Sequence, residues 1–116
     1  MEENIIELQA EILKAMAQPT RLRILECLRN GEKCICEIVP AVQGEQSNIS
    51  RHISMMQKSR IVATRKDGVK LMVKVVDPKI FDILDWVNSL LKSQMDERRR
   101  LLRSVYPKLI EKRTHI

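Results

Sequence analysis

The stretch Gln46-Ser47-Asn48-Ile49-Ser50-Arg51-His52-Ile53 decides the fold, because its polar and apolar residues fall on opposite sides of one helix. Ile49, Ile53 and Met56 recur at i, i+4 and i+7, which places them on a single face. The other side carries small polar and basic side chains. The spacing predicts a helix from about residue 47 to residue 59 that buries one side and presents the other.

Three further helices are expected before this one. Apolar residues recur at helical spacing over residues 4–16, and Pro19 fits the first turn of a second helix that runs to the Asn30-Gly31 stop. A short third helix is expected over roughly residues 35–42, with Gly44 breaking it. The third and fourth helices together predict a helix-turn-helix.

Two β-branched runs follow, at residues 61–66 and 69–76, on either side of the dipeptide Asp67-Gly68. Asp-Gly supplies the positive φ that a tight hairpin needs, so this segment predicts a two-stranded wing. Pro78 then opens a last long helix. The fold class is mainly α with a small β-hairpin, a winged helix-turn-helix in the order α-α-α-α-β-β-α.

The charge distribution indicates a polyanionic partner. The formal net charge is +6 and the pI is about 9.5. No acidic residue occurs over residues 46–66, whereas five basic residues do. An acid-free basic stretch that covers a helix and a hairpin is typical of a surface that binds double-stranded DNA.

The fourth helix, called the reader helix below, is expected to enter the major groove, because base edges there carry sequence information. Arg51 is the candidate for base contacts. His52 lies nearer the apolar side, where packing is the expected role. The wing residues near the hairpin tip are expected to contact phosphates without regard to sequence. The candidate DNA-binding residues are Gln46, Ser47, Asn48, Ser50, Arg51, Ser54, Arg65, Lys66 and Lys70.

Cys34 and Cys36 stand one residue apart directly before the helix-turn-helix. Thiolates are soft ligands, so such a pair favours a soft ion over Mg²⁺ or Ca²⁺. Side chains two apart on a regular helix diverge by about 200°. Both sulfurs can therefore bind one ion only if the helix begins later, frays, or distorts on binding. Pro40 favours a helix capped near Cys36, with the proline in or just beyond its first turn and the thiols at the helix start.

Three stretches together resemble the ArsR/SmtB family of winged-helix repressors. They are Ala17-Gln18-Pro19-Thr20-Arg21-Leu22-Arg23-Ile24-Leu25, the Cys34-Ile35-Cys36 segment, and Ser50-Arg51-His52-Ile53. The resemblance covers about residues 5–91. It implies a small dimer that releases operator DNA when a metal or metalloid ion, such as As(III), Cd(II), Pb(II) or Zn(II), binds Cys34 and Cys36.

The sequence leaves the role of the thiols open. Arsenic-responsive members of the family often have a third cysteine where this chain has Val39, and Cys27 has no spacing that argues for it as a ligand. A zinc site in the last helix would need histidines beside carboxylates, and residues 78–95 contain Asp82 and Asp85 but no histidine, so no such site is expected. The thiols can instead form a redox switch or have no sensory role. A small dithiol enzyme or metal carrier is an alternative of another class.

A homodimer is expected, because aromatic residues make up only 3% of the chain and a small aliphatic core often shares a surface with a second copy. The last helix also carries an apolar face wider than one small domain can cover. The candidate interface residues are Ile5, Leu8, Ile12, Phe81, Leu84, Val87 and Leu91.

Residues 1–95 are expected to form the DNA-binding and dimerisation domain, and residues 96–116 a basic helical extension. The chain has no apolar run of about 18 residues and begins Met1-Glu2-Glu3, which predicts a cytoplasmic protein that does not bind membranes. It has no Gly-rich phosphate loop and no paired carboxylates in an apolar setting. We therefore expect no catalytic residues, no enzyme activity and no small-molecule substrate.

Overall fold

The computed structural model of the chain describes residues 4–105. Along this range the elements are α1 (Ile5–Met16), α2 (Pro19–Cys27), β1 (Lys33–Cys34), α3 (Ile35–Val42), α4 (Gln46–Lys58), β2 (Val62–Asp67), β3 (Lys70–Val75) and α5 (Lys79–Val105). All of the expected helices and both wing strands are present. The strand β1 was not expected.

Local sequence explains where the first two helices begin and end. The side chain of Asn4 accepts the backbone N–H of Ile6 and caps α1. Pro19 occupies the start of α2, where its missing N–H leaves no bond unmade. This helix ends at Cys27, three residues before the predicted stop. Leu28 tightens the last turn, and Gly31 follows with φ +129°, a conformation that favours glycine.

The core of the first compact unit, which runs to Phe81, lies between α2, α3, α4 and the sheet. Its fully buried side chains come from every one of these elements. Burying each one stabilises the fold by roughly 1.5–3 kcal/mol. They include Ile24, Leu25, Ile38, Ile49, Met56 and Val73.

The helix-turn-helix consists of α3 and α4, as predicted. Gln43 ends α3 in the left-handed conformation. At Gly44 an added Cβ would lie 2.8 Å from Cδ1 of Ile49, closer than carbon atoms approach without a shift. Because Ile49 is fully buried, the turn between the two helices needs the small residue at this position.

The sheet has three strands in the order β1-β3-β2, and both pairings are antiparallel. Asp67 pairs with Lys70, so the two turn residues are Gly68 and Val69, not Asp67 and Gly68 as the sequence suggested. Gly68 has φ +63° and Asp67 does not have a positive φ. Turns with glycine first need the positive φ at that residue alone, which explains the shift by one position.

The second compact unit begins at Asp82 and contains most of α5. This helix continues without a break through the expected domain boundary at residues 95–96 and reaches Val105. The remainder of the predicted extension, residues 106–116, lies outside the described residues. No helix between residues 4 and 105 is both long and apolar enough to cross a membrane.

Candidate nucleic-acid interface and thiol pair

The reader helix α4 presents the polar side that the sequence predicted. Gln46, Ser47, Arg51 and Ser54 are exposed, and Asn48 and Ser50 are half-buried. Nη2 of Arg51 donates to Oδ1 of Asn48 at 2.8 Å, which holds the guanidinium over the first turn of the helix. Together with Glu45, three of these residues line a shallow recess at the start of α4.

The other side of α4 carries the predicted apolar stripe, and His52 is buried beside it with only 7% of its surface exposed. The Nε–H of Arg21, on α2, donates to Nδ1 of His52 at 3.1 Å. A second N–H of the same guanidinium donates to the carbonyl oxygen of Ala15 in α1 at 3.2 Å. Burial lowers the pKa of His52, and the positive charges of Arg21 and Arg51 lower it further.

His52 lies on the packed side of α4, as its position in the sequence predicted, but its bond to Arg21 was not predicted. The two residues are 31 positions apart. No periodicity or local motif links residues at that separation, so only the tertiary fold reveals the contact.

In the wing, Lys66 and Lys70 are exposed as expected. Arg65 is exposed too, but it is held by an acidic residue: its Nε and Nη2 donate to the two carboxylate oxygens of Glu32 at 3.0 and 2.6 Å. This hydrogen-bonded pairing lowers the pKa of Glu32 and raises that of Arg65. Of the three candidate wing residues, Lys66 and Lys70 are exposed without such a pairing, whereas Arg65 is already bound by a carboxylate of its own chain.

The two cysteines of the pair lie at the junction of β1 and α3. Cys34 is the N-cap of α3 and Cys36 lies in its first turn. Sγ of Cys34 accepts the N–H of Cys36 at 3.0 Å, and Oε1 of Glu37 accepts the N–H of Cys34 at 3.0 Å. This reciprocal arrangement is a capping box with sulfur in the place of the usual hydroxyl.

The two sulfur atoms are joined as a disulfide, and the Cα atoms of Cys34 and Cys36 lie 5.0 Å apart. Because α3 begins after Cys34, whose backbone is extended, the sulfurs meet without any distortion of the helix. Of the three conditions under which both sulfurs could bind one ion, the structure thus has the first, a helix that begins after Cys34. Pro40 lies inside α3 and beyond its first turn, but the helix is capped at Cys34, two residues before the predicted cap near Cys36.

Cys34 is also part of the wing sheet, which sequence reasoning missed. It pairs with Met72 of β3, and Lys33 pairs with Val73. Cys34 is 2% exposed, whereas Cys36 is exposed to solvent. One thiol is therefore built into the frame that carries both the reader helix and the wing, and the other faces outward.

Two neighbouring thiols suit a soft ion as two of its ligands, since thiolate sulfur is the donor that such ions prefer. Among residues 4–105, no group of three His, Cys, Asp or Glu side chains is placed to hold a metal ion. Cys27, a half-buried free thiol at the end of α2, does not join the pair in such a group. The described part of one chain thus supplies two sulfurs and no third ligand.

The candidate interface residues divide by exposure. Ile5, Leu8 and Ile12 of α1 are 69%, 38% and 43% exposed, and Val87 and Leu91 of α5 are about half exposed. Phe81 is half-buried, with the Arg29 guanidinium 5.2 Å from the ring centre, and Leu84 is buried.

Residues 18–64 match the bacterial regulatory protein, arsR family. An HTH-type transcriptional regulator of Methanocaldococcus jannaschii is 39% identical over 72% of this chain and 96% of its own length. An arsenical resistance operon repressor of Staphylococcus xylosus is 35% identical over 66% of this chain and 70% of its own. The crystal structure of Mycobacterium tuberculosis Rv0081 superposes with a TM-score of 0.74 at 30% identity, covering 84% of this chain and 98% of that one.

Proposed function

Because the chain belongs to the arsR family of bacterial regulatory proteins, whose members regulate transcription and are not enzymes, we propose that it represses genes by binding operator DNA. In this proposal α4 enters the major groove, with Arg51 reading base edges. Lys66 and Lys70 of the wing contact phosphates, and the exposed polar side of α4 completes the surface. The basic, acid-free composition of residues 46–66 supports this assignment.

The proposed signal is a soft ion bound by Cys34 and Cys36. Such an ion, of which As(III), Cd(II), Pb(II) and Zn(II) are the candidates, supplies strong bonds to thiolate sulfur. The repression of an arsenical resistance operon by a relative with 35% identity supports the choice of effector class. The observation that best supports a role for this pair in signalling is that Sγ of Cys34 accepts a backbone N–H at the start of α3.

That bond links the thiol to the DNA-binding surface. An ion bound to both sulfurs fixes the direction in which Sγ of Cys34 points, so the hydrogen bond from the Cys36 N–H is bent away from its best geometry and the cap of α3 is weakened. Losing an N-cap costs about 1 kcal/mol. Because α3 packs on α4 and Cys34 pairs with β3, a shift at the start of α3 would alter the positions of both the reader helix and the wing. The protein then shifts toward a form that holds operator DNA less well.

A homodimer is part of the proposal. The apolar faces of α1 and α5 are exposed in the single chain, and a second copy is proposed to cover them. A symmetric dimer places its two reader helices in half-sites about one helical turn apart, roughly 34–36 Å. The repressor is proposed to act in the cytoplasm, without a membrane partner or a small-molecule substrate.

A redox switch is the second candidate, and the disulfide between Cys34 and Cys36 favours it. In this reaction the two thiols lose two protons and two electrons and form one S–S bond. An oxidant such as hydrogen peroxide takes up both and becomes two water molecules. With the disulfide in place Sγ of Cys34 still accepts the N–H of Cys36, so oxidation would act through the new S–S bond between the N-cap and the first turn of α3. The strand pairing of Cys34 with β3 would transmit the change in both cases.

Fluorescence anisotropy on a labelled duplex from upstream of the gene distinguishes them. Fully reduced protein is titrated separately with arsenite, Cd(II), Zn(II) and hydrogen peroxide. Cys34→Ser and Cys36→Ser are compared with Cys27→Ser, which removes a thiol of the same chain outside the pair. Serine is a good N-cap, so the first variant removes the soft ligand and keeps the cap.

We expect a soft ion to release the DNA from wild type and from Cys27→Ser but from neither paired variant. Release by peroxide alone would replace the ion with oxidation as the signal. Release by ions from both paired variants would overturn the role of the pair. Absence of DNA binding by the reduced wild type would overturn the repressor itself.

A further inference from the structure

Of the buried side chains on the reader helix, His52 is the one that is polar. Ile49, Ile53 and Met56 hold α4 against the core through apolar contacts, whose attraction is non-directional and sets no precise angle about the helix axis. A hydrogen bond is directional and weakens steeply when its angle changes. The bond from Arg21 to His52 is therefore the contact on this side of α4 with the geometry to fix the rotation.

The donor of that bond is itself fixed. Arg21 lies on α2, and its guanidinium donates to the carbonyl oxygen of Ala15 on α1 as well as to Nδ1 of His52. A planar fork that bonds in two directions has little freedom to follow a turning partner. His52 is thus hydrogen-bonded to a guanidinium whose position is set by α1 and α2.

The bond also defines the protonation state of the imidazole. A guanidinium has no acceptor, so Nδ1 must offer a lone pair, and the proton of neutral His52 resides on Nε2. The charges that act on the ring are positive: Arg21 from α2 and Arg51, the next residue along α4. From α1 the carbonyl oxygen of Ala15, which carries no net charge, accepts a hydrogen bond from Arg21. Protonation of His52 removes the acceptor and sets a third positive charge against these two.

We propose that His52 is a positioning residue for sequence recognition: its bond to Arg21 sets the rotation of α4 that turns Arg51 toward the base edges. Residues 51 and 52 are adjacent, so a rotation that breaks the bond also swings Arg51 away from its base. Phosphate contacts by Lys66 and Lys70 do not depend on this rotation. The inference rests on the proposed DNA binding by α4 and adds the residue that gives it sequence preference.

The test measures the ratio of affinities for the upstream duplex and for a shuffled duplex of the same composition. His52→Leu removes the acceptor and keeps the site apolar. His52→Asn places Oδ1 near the position of Nδ1 and keeps it. Arg21→Met removes the donor, and the double variant Arg21→Met/His52→Leu completes a cycle. Circular dichroism of each variant confirms folding at the temperature used.

We expect His52→Leu and Arg21→Met each to lower the ratio by about tenfold, as the loss of one such hydrogen bond predicts, while binding to the shuffled duplex is kept. The double variant should fall no further than either single one, and His52→Asn should retain most of the preference. In wild type the ratio should decline as the pH falls below 6.5, and in His52→Asn it should not.

A folded His52→Leu protein with the wild-type ratio would overturn the inference. So would additive losses in the double variant, because two residues that act through one bond cannot lose it twice. Wild type that binds neither duplex would instead overturn the proposed DNA binding, and this inference with it.

Discussion

Glu32 and Arg65 are 33 residues apart in the chain and face each other as a two-bond ion pair on the wing. Glu32 lies two residues before Cys34, and Arg65 lies on β2. The pair therefore connects the segment that leads into Cys34 with strand β2 of the hairpin. The guanidinium fork that a phosphate would use is already engaged by a carboxylate, so DNA has to compete for Arg65.

Replacing Glu32 by Gln should strengthen DNA binding. The change removes a negative charge near the DNA and leaves Arg65 available, so one more phosphate contact forms. The slope of log affinity against log salt should then steepen by roughly one. Anisotropy titrations at several salt concentrations measure this. Glu26→Gln is the matched control, since Glu26 is paired with Arg29 in the same two-bond manner on α2. Weaker binding by Glu32→Gln alone would contradict the prediction.

Substitutions of Arg51 and Lys66 should weaken DNA binding in different ways. Arg51→Ala should cost about 1–3 kcal/mol of discrimination at the base pair that Arg51 reads. Lys66→Ala should weaken binding to all duplexes alike and flatten the salt slope by roughly one. Titrations on the upstream duplex, its single-base variants and a shuffled duplex separate the two effects. An equal loss on every duplex for Arg51→Ala would remove its role as a base reader.

Acid should destabilise the fold through His52. The pKa of His52 is lowered from 6.5 in the folded protein, so the unfolded chain takes up this proton first as the pH falls. The stability that the neutral ring contributes is present above about pH 6.5 and is lost below it. Urea unfolding from pH 7.5 to 5.5 measures the decline. His52→Asn should show a flatter profile. Glu26 and Glu32, whose lowered pKa values lie under 4.5, affect only more acidic solutions.

Gly44→Ala should destabilise the helix-turn-helix by about 1–3 kcal/mol, the usual effect of forcing extra volume into a packed site. The added Cβ meets Cδ1 of Ile49 at 2.8 Å and Cγ1 at 3.0 Å. Ile49→Val removes the nearer of these atoms, so the double variant should lose less than the sum of the two single losses. Chemical denaturation of the four proteins completes the cycle. Additive losses would mean that Ile49 is not what the methyl group meets.

A charge on the apolar face of α5 should break the proposed dimer. Val87→Glu and Leu91→Glu each place a carboxylate on residues that are about half exposed in the single chain and are proposed to be covered by a second copy. Sedimentation velocity should show a fall from the dimer to the monomer mass. Ser89→Glu, which projects from a different side of the same helix, should leave the mass unchanged. A monomeric wild type would contradict the interface directly.

The elements that the sequence predicted are those with a regular spacing of apolar residues. The helix-turn-helix, the hairpin and the buried stripe of α4 follow from spacings of three to four residues or of two, and the structure has them within one or two positions. The strand β1 was missed because two residues carry no recognisable period. The links from Arg21 to His52 and from Glu32 to Arg65 were missed for another reason. Each joins residues more than 30 positions apart, and a single chain's local pattern contains no trace of such pairs.

The position of Cys34 has a consequence for the genes under control. In the proposed mechanism the atom that would receive the ion is the same atom that caps α3, so the ion would act by disturbing a bond that supports the DNA-binding surface. A lineage that replaces this cysteine with serine keeps the bond and loses the receptor. Under the proposed function, such a variant would keep binding DNA when the ion is present, so the genes that it represses would stay off. A variant that keeps the cap but cannot bind the ion should thus leave the repressed genes off in the presence of the ion. A variant that loses the cap should leave them on in its absence.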